Sequence, residues 1–330
     1  MQPIRWGMIG TGRMAASMAT EFAQFEPTEA LLCAVASRAR HKAQEFADRH
    51  RIARSHACTA DLLADPGIDA VYIASPHPQH AADMLAAIAA GKAVLCEKPF
   101  TINAVQAQAV IDAARRRGVL VMEALWSRFL PAIQAVRDCV AAGRIGRIRL
   151  IIAGGAFVPD WNSDHYLLDR ERGGGVLLDA GVYLVSLSSM LLGAPSRVQA
   201  SGSLGGGGID EQETVLLDHA GGAQACLYVS LHARRSPDME ILGDAGRLRI
   251  AAPLFRPTQV THYTADGVES VQQYPIEGSG YGAQVLALQQ ALRAGLAECP
   301  GMPLAETLSV MRTLDEVRRQ IGLHYPGERP

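Results

Sequence analysis

The sequence predicts an α/β protein in two parts. The first is an N-terminal doubly wound parallel sheet, and the second an α+β domain with a large, mostly antiparallel sheet. Three observations carry this. A glycine turn links the apolar run Ile4–Ile9 to a helix-like stretch, and short apolar runs then alternate with helical stretches to about residue 123. Beyond residue 146, strand follows strand across glycine turns.

In the first part, strands are expected at Ile4–Ile9, Leu31–Ala36, Ala70–Ala74, Ala93–Cys96 and Val119–Met122. Helices are expected at Arg13–Phe25, Pro78–Ala90 and Asn103–Arg117. In the second, strands are expected at Ile148–Ala153, Val198–Ser203, Thr214–Asp218, Ala223–Ser230 and Gly246–Ile250. Gly205 to Gly208, and Gly221 with Gly222, suit hairpins. Helices near Pro131–Ala142, Gly181–Leu192 and Ala283–Ala294 are available to cover one face of that sheet, which leaves the other for a homodimer. A last helix, Leu304–Ile321, lines up Leu304, Leu308, Met311, Leu314 and Val317 and is expected to pack against one or both domains. The expected domains are residues 1–123 and 124–330.

Composition narrows the function. A formal net charge of -2 leaves no basic excess to neutralise phosphates, so nucleic acid is not expected as the main partner. The six cysteines, Cys33, Cys58, Cys96, Cys139, Cys226 and Cys299, form no C-x-x-C pair, which fits reduced thiols better than disulfides or a zinc site. The first strand begins at once, without a cleavable leader, and no apolar run is long enough to span a bilayer. A cytoplasmic location with no membrane partner is the expectation.

The first turn carries the chemistry. Gly10, Gly12 and Ala15 form a G-x-G-x-x-A string of the Rossmann type. Gly10 suits the tight turn, Gly12 leaves room for a pyrophosphate, and Ala15 lets helix and strand pack closely. Thr11, Arg13 and Met14 complete the stretch expected to meet a dinucleotide. At the end of the second strand, where an NAD enzyme usually carries a carboxylate, stand Ser37 and Arg38, which favours NADP(H) over NAD(H). The bland reading of Arg38 is the solvated start of a helix. Ser75, Pro76, His77, Pro78, Gln79 and His80 follow the next strand and should border the cofactor. No third ligand stands near the two histidines, and no metal is expected. Glu97, Lys98 and Pro99 follow the strand after that. The ammonium of Lys98 is either a surface cation or a charge held beside the nicotinamide.

These pieces together resemble the Gfo/Idh/MocA family over nearly the whole length. The matching stretches are GMIGTGRMA, SPHPQH, the EKP at Glu97 to Pro99, and GGGVLLDAGVY from Gly173 to Tyr183. The segment Glu123 to Pro131 is similar to the branch containing dimeric dihydrodiol dehydrogenase and NADP-linked xylose dehydrogenases. The resemblance implies a catalytic pair of Lys98 and Tyr183, with Asp179 beside them. A spacing of four would put Asp179 and Tyr183 on one helix face, and an ammonium would favour the tyrosine's phenolate. The alternatives are a core tyrosine and an aspartate that supports the glycine loop. Trp126 and Arg128, and Trp161 and His165 of the polar loop Asp160 to Tyr166, are all expected at the domain junction and are candidate substrate contacts beside Asp179 and Tyr183, because aromatic faces suit a pyranose or a cyclic diol. The alternative is an interdomain packing cluster. Gly282 follows Tyr281 where relatives often carry Glu, so the resemblance assigns Tyr281 no particular role.

The expected activity is NADP-dependent hydride transfer at a carbinol carbon of a sugar, polyol or cyclic diol, such as a D-xylose-like aldopyranose or a cyclic trans-dihydrodiol. The alternatives are an NADP-sensing regulator of the same fold, and a reductase of another carbonyl such as a nucleotide sugar or inositol.

Overall fold

A computed structural model describes residues 2–162, 164–264, 266–267 and 269–328. The chain opens with β1 (Ile4–Ile9), α1 (Arg13–Phe22), β2 (Ala30–Ala36), α2 (Arg40–His50), β3 (Arg54–His56), α3 (Thr59–Leu63), β4 (Ala70–Ile73), α4 (His80–Ala89), β5 (Ala93–Glu97), α5 (Ala104–Arg117) and β6 (Val121–Ala124). It continues through α6 (Pro131–Ala141), β7 (Ile148–Ala156), α7 (Val182–Leu192), β8 (Arg197–Leu204), β9 (Asp210–Asp218), β10 (Gln224–Ser230), β11 (Arg235–Gly243), β12 (Gly246–Ile250), β13 (Gln259–Thr264) and β14 (Glu269–Gln273). Two helices close it, α8 (Gly282–Arg293) and α9 (Leu304–Ile321).

The strands β3-β2-β1-β4-β5-β6 form a parallel sheet in that order. Every residue of β4 and β5 is buried, as a strand covered on both faces requires, and this is why they read as unbroken apolar runs. The second sheet has the order β14-β13-β12-β11-β7-β10-β9-β8 and is antiparallel except where β10 meets β7. Burial alternates along β9, with Val215 and Leu217 inward and Leu216 outward, so one face of this sheet is covered and the other open.

The two compact units do not follow a single cut. One comprises residues 1–126 with 278–307, and the other residues 127–277 with 308–330. A boundary at Glu123 had put 278–307 in the second domain, and α8 had been expected to cover the antiparallel sheet. Instead α8 lies against β5 in the first unit. The reason is a polar anchor. Glu21, on α1 and 5% exposed, accepts the amides of Gly282 (2.7 Å) and Ser279 (3.2 Å) and the Ser279 hydroxyl (2.5 Å), which satisfies the start of a helix lacking a side-chain cap of its own. Arg115 and Glu298 add an ion pair at 3.0 Å.

The strands β3, β11, β13 and β14 and the helices α2 and α3 lay outside the sequence expectation. The polar helix α2 buries only Ala43, Phe46 and Ala47, and β11 carries Pro237. Among the described residues, the stretch Arg170–Leu192 has the length and apolarity of a membrane span, contrary to the expectation of none. Its most apolar 18 residues are 78% buried inside the protein, as in a core helix.

Replacing Glu21 by Ala strands two amides and a hydroxyl. The expected cost is about 2–4 kcal/mol, read as a lower urea midpoint. An unchanged midpoint would show that α8 is held by packing alone.

Candidate active site

Strand order reverses between β1 and β4, the point at whose carboxyl ends an open α/β sheet takes its ligand. Gly10 sits there with φ of +112°, and a Cβ on it would stand 2.6 Å from the Ala74 carbonyl, so only glycine lets the two strand ends approach this closely. Gly12 is the N-cap of α1. It makes no side-chain cap bond, the first turn carries no acidic residue, and a Cβ at Gly12 would meet no protein atom within 4 Å. Free amides facing open space at a helix start fit the pyrophosphate of a dinucleotide. Thr11, Arg13 and Met14 belong to the same turn.

At the end of β2, Ser37 approaches Thr11, hydroxyl to hydroxyl, at 3.5 Å, and Arg38 is exposed in a loop two residues before α2. No carboxylate occupies the strand end, a site able to accept a ribose 2′-phosphate. Ser75 donates to Asp83 at 2.6 Å, and burial raises the pKa of that carboxyl. Pro76 leads into the short 3₁₀ turn His77–Gln79.

His80 departs from its expected place at the cofactor. Its ring is fully buried, with Nδ1 2.8 Å from the Pro99 carbonyl and Nε2 2.9 Å from that of Ser75. Burial lowers its pKa against the pull of the two carbonyls. It therefore supports two loops rather than offering a ligand surface.

One of these loops is the corner after β5. Glu97 accepts the hydroxyl of Tyr72 on β4, and burial with the Glu97 charge keeps that phenol protonated. Phe100 donates its amide to Glu123 at 2.9 Å, between two fully buried residues. Lys98, half-buried, stands on a corner fixed through Glu97, Pro99 and Phe100. Tyr72 and Glu123 had drawn no functional expectation, because Tyr72 reads as part of a strand and Glu123 as the residue that follows one. Trp126 and Tyr281 pack ring on ring in this unit, centroids 4.5 Å apart, which gives Tyr281 a packing partner.

The second unit gathers Asp179, Tyr183, Tyr166 and His165. Asp179 lies in a π-turn, Leu177–Gly181, and Tyr183 in the first turn of α7, so the regular four-residue pairing expected of an α-helix does not apply. Tyr166, in the 3₁₀ turn Tyr166–Leu168, donates its hydroxyl to Asp179, and the His165 ring lies 4.6 Å from the Tyr166 ring. Trp161 is exposed and stacks on His232 at 5.5 Å. Arg128 is almost wholly buried and donates to Ser186 of α7 at 3.3 Å, so it is a brace inside the unit rather than an open substrate contact.

The Tyr183 ring packs on Phe255, centroids 4.8 Å apart. Phe255 also lines a cavity of about 360 Å³ with Phe157, Ala180, Leu184, Val229 and Pro237, and Arg234 and Arg235 reach the same space. Nothing in the sequence patterning singled out Phe157 or Phe255, which come from segments far apart in the chain.

Two family models match the chain. One is described as an oxidoreductase family with an NAD-binding Rossmann fold, over residues 4–125, and the other as the GFO/IDH/MocA C-terminal domain, over residues 133–249. The chain is 34% identical to trans-1,2-dihydrobenzene-1,2-diol dehydrogenase of Mus musculus over 336 residues, covering 99% of each chain. Against the Homo sapiens protein of the same name it is 31% identical over 333 residues, again covering 99% of each. Among solved structures, levoglucosan dehydrogenase in complex with NADH and levoglucosan matches with a TM-score of 0.88 at 22% identity, covering 97% of this chain and 98% of that one. A 3-ketoreductase from Actinomadura kijaniata in complex with NADP and TDP-benzene gives 0.83 at 28% identity, with the same coverage. Two matched domains and full-length relatives above 30% identity leave one conclusion: the chain belongs to the Gfo/Idh/MocA family of nicotinamide-dependent oxidoreductases.

Proposed function

We propose that this oxidoreductase is an NADP(H)-dependent dehydrogenase of cyclic trans-diols. The cavity beside Phe255 carries the substrate class. Its walls of Phe157, Leu184, Val229, Pro237 and Phe255 suit a carbon ring with two hydroxyls. Arg234, Arg235 and Ser236 offer polar groups at the same space, so an aldopyranose such as D-xylose, with more hydroxyls to satisfy against mostly apolar walls, is the second substrate class. The full-length likeness to proteins named for a dihydrobenzene diol supports the first.

When bound, the nicotinamide supplies C4 as the hydride acceptor in oxidation. The glycine turn and the start of α1 hold the pyrophosphate, and Arg38 pairs with the 2′-phosphate. Tyr183 accepts the hydroxyl proton, Lys98 anchors a substrate or ribose hydroxyl, and Asp179 orients the diol with Tyr166 holding its carboxylate. The sheet's open face has an apolar row, with Cys226 in register between Ile152 and Leu216, both more than a third exposed. It is the surface we assign to a homodimer.

The decisive assay compares a trans-cyclohexadiene diol with D-xylose, and NADP with NAD. The diol with NADP should have the higher kcat/KM, and Arg38→Asp should reduce the preference for NADP at least about tenfold. Faster turnover of D-xylose would overturn the substrate class, and an Arg38→Asp enzyme that still prefers NADP would overturn the cofactor assignment. Tyr183→Phe should lower kcat about 100-fold or more with NADPH affinity little changed, and near-normal turnover would remove Tyr183 from the chemistry. Light scattering at micromolar concentration should give twice the chain mass, and a monomer would reject the dimer.

A further inference from the structure

Behind the π-turn that carries Asp179 lie two carboxyls that the roles above do not use. Asp210 and Glu213, at the start of β9, are 0% and 1% exposed. Asp210 Oδ2 accepts the amide of Leu177, the first residue of the π-turn, at 2.6 Å. Gly175, with φ of +109°, makes room for that carboxyl, since a Cβ there would stand 1.8 Å from Asp210 Oδ1.

Asp210 Oδ1 and both oxygens of Glu213 meet no conventional donor among the described residues. Two such carboxyls side by side in the interior do not both ionise. Burial and the charge of Asp210 keep Glu213 protonated far above the usual carboxyl range, which makes its O–H available as a donor for Asp210 Oδ1.

The same backbone is pinned from the other side. The Gly174 amide donates to the Asp169 carbonyl at 2.9 Å and that of Gly175 to Leu167 at 2.8 Å, while the Gly174 carbonyl accepts the Tyr325 hydroxyl at 2.6 Å. A Cβ at Gly174 would stand 2.6 Å from the Tyr166 carbonyl. The turn is thus clamped between the acid pair and the 3₁₀ turn whose Tyr166 hydroxyl binds Asp179.

We propose that Asp210 and Glu213 are positioning residues for hydride transfer. Through the Leu177 amide and the Gly173 to Gly175 turn, they set where Asp179 and Tyr183 stand. Neither touches substrate or cofactor. The inference rests on Asp179 and Tyr183 being the reacting groups.

The test measures kcat per NADPH-binding site, and the NADPH dissociation constant, in Glu213→Gln, Glu213→Asp and Asp210→Ala. Glu213→Gln keeps an N–H donor for Asp210 and should stay within about threefold of the parent kcat. Glu213→Asp withdraws the donor by one methylene, folds if the harsher Asp210→Ala does not, and should lower kcat about tenfold, as should Asp210→Ala, with NADPH affinity within about twofold. Unchanged kcat in Glu213→Asp, a loss in Glu213→Gln as large as in Glu213→Asp, or NADPH affinity that falls together with kcat would overturn the proposal. Tyr183→Phe is measured alongside. If it is slow while the acid-pair variants are not, only this inference fails, and if it is not slow the underlying reading fails.

Discussion

The close approach of Gly10 to the Ala74 carbonyl is the constraint on which the nucleotide side of the protein depends. Gly10 donates to Ala36 at 3.0 Å and Ala74 to Ile9 at 2.8 Å, so the ends of β1, β2 and β4 meet at one point. A side chain there would force β1 and β4 apart. From that point the chain turns straight into α1, and the unsatisfied amides at its start become a site for an anion.

In each unit the candidate side chains stand on loops held by buried polar groups. The corner that bears Lys98 is fixed by Tyr72, His80 and Glu123, which come from β4, the start of α4 and β6. In the second unit Tyr166 holds Asp179 directly, and Asp210 holds the amide at the head of its turn. A hydrogen bond made out of water is costly to break, since it would leave a buried group unpaired, so each of these contacts confines a loop to one position. Family membership gives these positions a chemical meaning, because hydride transfer depends on groups kept within a fraction of an ångström of their productive places.

Much of the frame was legible because parallel strands buried on both faces leave unbroken apolar runs, as in Ala70 to Ile73 and Ala93 to Cys96. The hairpin glycines between β8 and β10 and the stripe along α9 were legible for similar local reasons. The strand β11 was hidden by its Arg-Arg-Ser-Pro opening and α2 by its polar surface. Of the candidate site, the glycine turn, Arg38 and the EKP corner stand out in the sequence by their place after a strand, whereas Tyr72 and Glu123 do not. His80 and Arg128 could be placed in the right region by sequence but not as buried braces.

The sequence by itself determined the two sheet types, the more apolar of their strands, the nucleotide turn and the absence of a carboxylate after β2. All are set by residues adjacent in the chain, where turn sterics, pleat alternation and helix periodicity operate. Tertiary structure alone decided that residues 278–307 join the first unit, that Asp179 sits in a π-turn, and that Phe157 and Phe255 share a cavity. Each of these depends on a carboxylate, an amide or a ring meeting a partner from a remote part of the chain. Such meetings leave no period in the sequence, because their strength comes from the removal of water and not from the spacing of residues.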